Sequence, residues 1–266
     1  AVNSSGTGIL SSEDNATAGA SKLVGGSMQG EELNLTTAVT TLAGTGSGGS
    51  ANGTGTSASF NIPFGITSDG TNLYVAGQDS HKIRKIVIST GAVTTLAGSG
   101  SAGSQDGTGT AATFNKPIAI TTDGTNLYVG GEDSNKIRKV VIASGVVTTL
   151  AGSGSTGSAD GIGTAASFTT PAGITTDGTN LYVTDGDQHV IRKIVIDNRT
   201  VTTLAGSVGA SGTTDGTGSN ARFTMPFGIT TDGTNLYVAD KSSHLIRKVV
   251  ISSGVVTTLA GTGQAG

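Results

Sequence analysis

The 266-residue sequence contains no cysteine and no tryptophan, and charged residues make up only 12% of it. The absence of cysteine excludes a disulfide framework and thiol chemistry. The few charges sum to a formal net charge of −3, so neither nucleic acid nor an anionic membrane is an obvious partner. No hydrophobic run approaches the roughly 18 residues that a membrane-spanning helix needs. We therefore expect no membrane span and no nucleic-acid binding.

Glycine is abundant instead, with 44 residues, and serine and threonine are also frequent. A chain rich in these residues and poor in charge is typical of an exported microbial surface protein. The chain begins at Ala1 rather than at methionine, as expected of a mature form after removal of a signal peptide. We expect an extracellular or cell-surface location.

A tandem repeat dominates the sequence. The hexapeptide Val-Thr-Thr-Leu-Ala-Gly occurs five times, at intervals of 54, 54, 54 and 55 residues, starting at Val39, Val93, Val147, Val201 and Val256. A fixed period of this size indicates an array of one supersecondary unit. Any chemically interesting residue inside a repeat therefore has equivalents in the other copies.

Each repeat predicts four short β-strands and no helix. In the copy that spans 60–98, the strand-like runs are 65–68, 73–76, 82–88 and 93–97. An Asp-Gly-Thr-Asn segment separates the first two runs and predicts a hairpin turn. The Gly-, Ser- and Thr-rich remainder predicts an irregular connector. Four strands per unit predict an all-β fold, a β-propeller in which each repeat is one four-stranded antiparallel blade.

All ten aromatic residues lie in these four copies, and eight of them recur at fixed positions. The recurring residues are Phe60, Phe114, Phe168, Phe223, Tyr74, Tyr128, Tyr182 and Tyr237. Rings that recur once per blade are expected to fill the space between neighbouring blades. The two other rings, Phe64 and Phe227, are replaced by Ile118 and Ala172 in the remaining copies, so we expect them to be exposed.

The copies resemble the NHL family of propeller repeats. The resemblance lies in Phe-x-x-Pro-x-Gly-Ile at 223–229, Asp-Gly-Thr-Asn-Leu-Tyr-Val at 232–238 and His-x-Ile-Arg-Lys at 244–248, and it covers about residues 39–261. The family's Tyr-Val-Ala-Asp survives only at 237–240, and the first two copies end this strand in glycine, at Gly77 and Gly131. The resemblance implies five or six blades and a role in scaffolding or recognition, often outside the cell. It does not imply one activity.

The number of blades is left open by the sequence. Four copies of the first three strands accompany five copies of the fourth, so we divide the chain into an N-terminal segment, 1–38, and NHL-like repeats, 39–266. Four clear blades are predicted, and the N-terminal segment is interpreted as a degenerate fifth blade. The alternative is an arm that pairs with a neighbouring subunit, and the two interpretations can both hold. The four Arg-Lys pairs, such as Arg84-Lys85, are expected to bind the periodic hairpin aspartates or turn carbonyls. Those aspartates are Asp69, Asp123, Asp177 and Asp232.

No catalytic, metal or cofactor site is predicted. Three histidines and one asparagine share a single repeat position, which favours a structural hydrogen bond; they are His81, Asn135, His189 and His244. Some NHL-like propellers are lyases with a metal held by several histidines, and this pattern does not supply that site. Asp185-Gly186-Asp187 is too small for a calcium loop, which needs six to eight oxygen ligands. Asp-Gly pairs in the connectors, at Asp106, Asp160 and Asp215, are interpreted as turns.

Five Asn-x-Ser/Thr sequons make glycosylation possible, at Asn3, Asn15, Asn34, Asn52 and Asn198. We predict a non-catalytic extracellular scaffold that self-associates, as a subunit of a surface assembly or filament, with no cofactor and with subunit contacts made by 1–38. The alternative is a soluble module that recognises protein or carbohydrate through loops on one face. The charged residues that differ between blades look scattered, which favours the scaffold. They are Lys116, Glu132, Arg199, Arg222 and Lys241.

Overall fold

The computed structural model describes residues 39–264. The degenerate blade or arm predicted at 1–38 lies outside these residues, as do the sequons at Asn3, Asn15 and Asn34, and those expectations stay predictions. All described residues except 39 and 40 belong to one compact unit, Thr41–Gly266.

The described residues form four antiparallel sheets of five strands each. The first sheet contains β1 (Gly53–Thr54), β2 (Pro63–Ser68), β3 (Asn72–Gly77), β4 (Lys82–Val87) and β5 (Ala92–Ala97). The second contains β6 (Gly107–Thr108), β7 (Pro117–Thr122), β8 (Asn126–Gly131), β9 (Ile137–Val141) and β10 (Val146–Ala151). The third contains β11 (Gly161–Ile162), β12 (Pro171–Thr176), β13 (Asn180–Asp185), β14 (Val190–Val195) and β15 (Thr200–Ala205). The fourth contains β16 (Gly216–Thr217), β17 (Pro226–Thr231), β18 (Asn235–Asp240), β19 (Leu245–Val250) and β20 (Val255–Ala260).

The four predicted strands of each repeat are confirmed, but the connector is more ordered than expected. Its two-residue strand pairs with the outermost long strand, as Gly53 does with Val93 in the first sheet. This pairing covers part of an edge whose backbone groups would otherwise be free to pair with another chain. Three-residue 3-10 turns follow the short strands and two of the long ones, at Gly55–Ser57, Gly109–Ala111, Gly163–Ala165, Gly186–Gln188, Gly218–Asn220 and Lys241–Ser243.

The sheets are arranged as propeller blades. The first long strands of consecutive sheets contact one another, β2 with β7, β7 with β12 and β12 with β17, so these strands are the innermost of each blade. The predicted packing of aromatic rings between blades is confirmed at three interfaces. In one of them, Tyr128 and Ile137 of the second sheet pack with Phe168 and Leu181 of the third, and all four side chains are fully buried.

The hairpin aspartates fix the turn between the first two long strands. Asp123 Oδ1 accepts hydrogen bonds from the backbone N–H groups of Thr125 (2.8 Å) and Asn126 (2.6 Å), and its Oδ2 accepts one from the hydroxyl of Tyr128 (2.8 Å). Burial alone would raise the pKa of Asp123, but these hydrogen bonds outweigh it and lower the pKa. The same network recurs in all four sheets, which explains why Asp-Gly-Thr-Asn is identical in every copy.

Of the two predicted kinds of arginine partner, the hairpin aspartates are wrong, whereas backbone carbonyls are confirmed. Arg138 is fully buried over the ring of Phe114, and it forms an ion pair of 2.8 Å with Asp106 of the connector. It also donates to two connector carbonyls, those of Thr113 and Gln105, both at 3.0 Å. The hairpin aspartate cannot serve because Tyr128 and the turn already use its oxygens. The connector Asp-Gly pairs are therefore anchors for buried arginines and not simple turns.

Candidate functional site

Charged differences between the four sheets lie mainly at one end, although the turns at 88–91, 142–145, 196–199 and 251–254 also vary at the other end. At the first of these ends, the loop after the second long strand lies beside the residue that precedes the innermost strand. Their backbones are hydrogen bonded, as in Glu132 N–H to Lys116 O (3.0 Å) and Lys241 N–H to Met225 O (3.3 Å). We call this end the variable end. It consists of residues 61–62, 78–81, 115–116, 132–135, 169–170, 186–189, 224–225 and 241–244. The opposite end carries the identical Asp-Gly-Thr-Asn hairpins.

Polar contacts at the variable end are specific to particular blades. The amide of Gln78 donates to the carboxylate of Glu132 across two neighbouring blades, at 2.7 Å. Lys116 forms an ion pair with Asp133 at 2.8 Å, and that hydrogen-bonded carboxylate raises the pKa of Lys116. In the third sheet the hydroxyl of Thr170 donates to Asp187 instead, at 2.6 Å. Each blade therefore presents a different polar surface.

The two non-periodic phenylalanines meet at this end. Phe64 is the second residue of the innermost strand of the first sheet, and Phe227 is the second residue of that of the fourth. Their ring centroids are 5.8 Å apart. Phe64 is 47% exposed, as predicted, whereas Phe227 is half-buried. The ammonium of Lys241 lies 5.2 Å from the centroid of the Phe227 ring. The sequence could not bring the first and last copies together, so their contact was not foreseen.

The expectation that blade-specific charges are scattered is wrong for three of the five residues. Lys116, Glu132 and Lys241 all lie at the variable end. Arg199 lies in a turn at the opposite end, where its N–H binds the carbonyl of Val195, and Arg222 binds connector carbonyls. From the sequence, only an alignment of the repeats could have shown that these three residues share one end, because 124 residues lie between Lys116 and Lys241.

The shared histidine and asparagine position has the structural role that was predicted. All four residues adopt positive φ, between 52° and 61°, where asparagine and histidine are tolerated better than most residues. His81 Nδ1 accepts a hydrogen bond from the backbone N–H of Lys116 in the next blade, and His189 accepts one from Met225, both at 3.2 Å. Ser80 donates to the carbonyl of Gly77 rather than to His81.

Asp185 and Asp187 also have hydrogen-bond partners within the protein. Asp185 is fully buried, accepts backbone N–H bonds from Thr169 and Thr170, and lies 3.7 Å from Arg192. Burial raises the pKa of Asp185 in spite of these contacts. Asp187 accepts a hydrogen bond from the hydroxyl of Thr170, whose backbone N–H binds Asp185. Among residues 39–264, no three His, Cys, Asp or Glu side chains are close enough to hold a metal ion.

Two sequons lie within the described residues, and both asparagines are exposed. Asn198 Oδ1 accepts the backbone N–H of Thr200 at 3.0 Å. Asn52 Oδ1 accepts a hydrogen bond from Arg84 at 3.0 Å and one from the hydroxyl of Thr95 at 3.3 Å. Glycosylation at either residue stays a prediction.

Comparisons with known proteins agree with this architecture. The chain is 30% identical over 241 residues to human NHL repeat-containing protein 2 and 30% identical over 243 residues to the cattle protein of that name. It is 29% identical over 244 residues to the Arabidopsis thaliana protein SUPPRESSOR OF QUENCHING 1, chloroplastic. These matches cover 77%, 78% and 85% of this chain but only 33%, 33% and 23% of the relatives, so the chain spans a third of their length or less. No protein-family model matches the chain.

Solved structures give the same fold. A chain in the nidogen/laminin complex superposes with a TM-score of 0.51 at 18% identity, over 76% of this chain and 64% of that one. Streptogramin B lyase also superposes with a TM-score of 0.51, at 16% identity, over 75% of this chain and 54% of the lyase. The sheets and these likenesses define a β-propeller. With the repeat motifs and the curated relatives, they place the chain in the NHL-repeat family. Within residues 39–264, the helical segments are three-residue 3-10 turns, and none has the length or hydrophobicity of a membrane span.

Proposed function

We propose that the protein is a non-catalytic propeller that recognises a protein or carbohydrate partner through its variable end. One observation carries this proposal: charged and aromatic differences between blades concentrate at that end, while the hairpins at the other end are identical. Loops held by a rigid scaffold are where binding residues are usually found.

The chemistry of the variable end suits contact with a partner. The exposed ring of Phe64 and the neighbouring Phe227 offer apolar surface, and exposed aromatic rings are frequent anchors of interfaces. Lys241 adds a positive charge that has no carboxylate within ion-pair distance among the described residues. A partner that places an apolar group on the rings and an anionic group near Lys241 would match both features.

Binding arrays test this proposal. Full-length protein is applied to peptide and glycan arrays, and hits are remeasured with Phe64→Ser and Lys241→Glu. We expect each substitution to weaken binding at least about tenfold, equivalent to about 1.4 kcal/mol. The control is Arg199→Glu, which changes a charge at the opposite end and should leave binding unchanged. A ligand lost with Arg199→Glu but kept by both other variants would contradict the proposal.

A self-associating extracellular scaffold is the second candidate, and exposed apolar side chains favour it. Ile66 on the first sheet is 59% exposed, whereas its equivalent Ile120 is 7% exposed between blades; Leu259 on the last sheet is 55% exposed and its equivalent Leu150 is 6% exposed. Large exposed apolar surfaces commonly take part in association. The low charge and high glycine, serine and threonine content support an extracellular setting.

Light scattering and negative-stain microscopy of the native protein, with and without 1–38, test this candidate. Polymers that disappear on truncation would support a scaffold joined through the N-terminal segment. A monomer in both forms would exclude self-association and leave recognition as the function. The two candidates are thus separable, because light scattering measures assembly directly, whereas the Phe64 and Lys241 substitutions test binding at the variable end.

A further inference from the structure

The first sheet departs from the other three at its buried arginine. Four arginines occupy equivalent positions and are at most 1% exposed: Arg84, Arg138, Arg192 and Arg247. The last three each have a connector aspartate within 2.8 to 2.9 Å, which is Asp106, Asp160 or Asp215. In the first sheet the equivalent residue is Asn52, so the contact to Arg84 is a neutral hydrogen bond.

A second carboxylate is missing there as well. Arg192 and Arg247 also lie within 3.7 Å of a buried aspartate at the end of the second long strand. The first sheet has Gly77 at that position. Among the described residues, Arg84 is therefore the one arginine of the four with no carboxylate within ion-pair distance. A buried charge without a counter-charge is costly, because nothing offsets its lost hydration.

Asn52 is also placed in an unusual sequence context. It precedes Gly53, and Asn-Gly occurs nowhere else in the 266 residues. In Asn-Gly the backbone nitrogen of glycine reaches the side-chain amide most easily, because glycine has no side chain to hinder the approach and has wide conformational freedom. Asn52 is exposed, and the short strand β1 that follows it lies at the margin of the sheet, so water has access to Asn52.

The contacts of Asn52 favour attack on its side-chain carbon. Both donors, the guanidinium of Arg84 and the hydroxyl of Thr95, bind Oδ1. Donors on a carbonyl oxygen stabilise the negative charge that develops there when a nucleophile adds to the carbon. The amide nitrogen, which would have to leave, has no hydrogen-bond partner among the described residues.

We propose that Asn52 deamidates spontaneously and that the resulting aspartate completes the ion pair with Arg84. The nitrogen of Gly53 bonds to Cγ of Asn52, its proton leaves with Nδ2 as ammonia, and a cyclic succinimide remains. Water then adds to the side-chain carbonyl and breaks the new C–N bond, which restores the backbone and yields aspartate. The net change consumes one water and releases one ammonia, without oxidation or reduction.

The fold selects aspartate over isoaspartate. Water addition at the other carbonyl would lengthen the backbone by one carbon between Asn52 and Gly53. Gly53 and Thr54 pair with Val93 and Ala92, so the longer backbone would disturb this register and carry the carboxylate away from Arg84. The product in the folded protein should be mainly aspartate, unlike the mixture formed in an unstructured peptide.

Peptide mapping by mass spectrometry tests the proposal. Full-length protein from a bacterial host without N-glycosylation is aged near neutral pH, beside a synthetic peptide of residues 50–57. We expect Asn52 to convert in the folded protein, with aspartate as the main product, before Asn198 or any other described asparagine. Thr95→Val removes one donor from Oδ1 and should slow the conversion.

Stability provides a second readout. The variant Asn52→Asp should have a higher thermal midpoint than fresh protein, and aged protein should approach the variant. Asn52→Gln should keep its midpoint on ageing. Two outcomes would overturn the proposal: Asn52 remaining an amide in the folded protein after the peptide has converted, or isoaspartate as the main product. A midpoint of Asn52→Asp no higher than that of fresh protein would refute the restored ion pair.

Discussion

The hydroxyl of Thr184 donates a hydrogen bond of 2.7 Å to the carbonyl oxygen of Phe227, and so joins the third sheet to the innermost strand of the fourth. Gly173, in the innermost strand β12, lies at the same contact, beside Thr184 of β13 and Phe227 of β17. A Cβ atom on Gly173 would overlap the Phe227 carbonyl oxygen, so the absence of a side chain there allows the two innermost strands to approach closely. This contact helps to fix how consecutive blades pack.

Gly173→Ala should therefore be strongly destabilising. The added methyl group meets backbone atoms that cannot move aside, and overpacking of this kind costs about 3 kcal/mol. Gly228→Ala is the matched control, because Gly228 occupies the same repeat position and a Cβ there would have only Ala239 Cβ nearby, at 3.6 Å. Urea unfolding measures both. Equal losses in the two variants would show that the close approach is not what requires glycine.

The repeat position that His81 shares with Asn135 should tolerate asparagine but not valine. Because Asn135 occupies it in the second sheet at the same φ of 52° as His81, His81→Asn should change the free energy of unfolding by less than about 0.5 kcal/mol. His81→Val should cost about 2 kcal/mol, since a β-branched residue is strained at positive φ and leaves the N–H of Lys116 without an acceptor. Thermal or urea unfolding distinguishes the two. A tolerated valine would contradict the assigned role.

The hairpin aspartates predict a dependence of stability on acid. Burial raises the pKa of Asp177, but hydrogen bonds from Asn180, Thr179 and Tyr182 outweigh it and lower the pKa in the folded state. Such a group contributes stability above its unfolded pKa of about 4, and that stability is lost as the pH falls through the folded pKa. Asp177→Asn should show a smaller loss between about pH 5 and pH 2. Parallel curves for the variant and the parent protein would refute the assignment.

The tyrosines predict a loss of stability at high pH. Burial, together with the hydrogen bond to Asp69, raises the pKa of Tyr74 to about 12. A group whose folded pKa is raised contributes stability below its unfolded pKa, about 10 for tyrosine, and loses it as the pH rises further. Ultraviolet titration should therefore show Tyr74 protonated at about pH 10, and unfolding should become easier between there and pH 12. Ordinary titration of all four tyrosines in the folded chain would be inconsistent with these contacts.

The hairpins and strands could be predicted from the sequence because the interactions that form them are local and recur in every repeat. Asp-Gly-Thr-Asn specifies its own hairpin through bonds within six residues, and alternating β-branched runs specify the strands on either side. The period predicted the blades, and the recurring Tyr128 and Phe168 predicted the packing between them. Carbonyl partners of the arginines were predicted correctly, but the aspartate partner was predicted wrongly. Asp123 and Asp106 are equally periodic, and only the folded chain shows which one Tyr128 already uses.

By itself, the sequence determined that this chain is an NHL-type propeller, because four copies of one pattern require four copies of one local structure. The tertiary structure decided which differences between the copies come together. Lys116, Glu132 and Lys241 are far apart along the chain, and Phe64 and Phe227 belong to the first and last sheets. They share one end because every blade is oriented alike about the innermost strands. That orientation is set by packing between sheets, which no single repeat encodes.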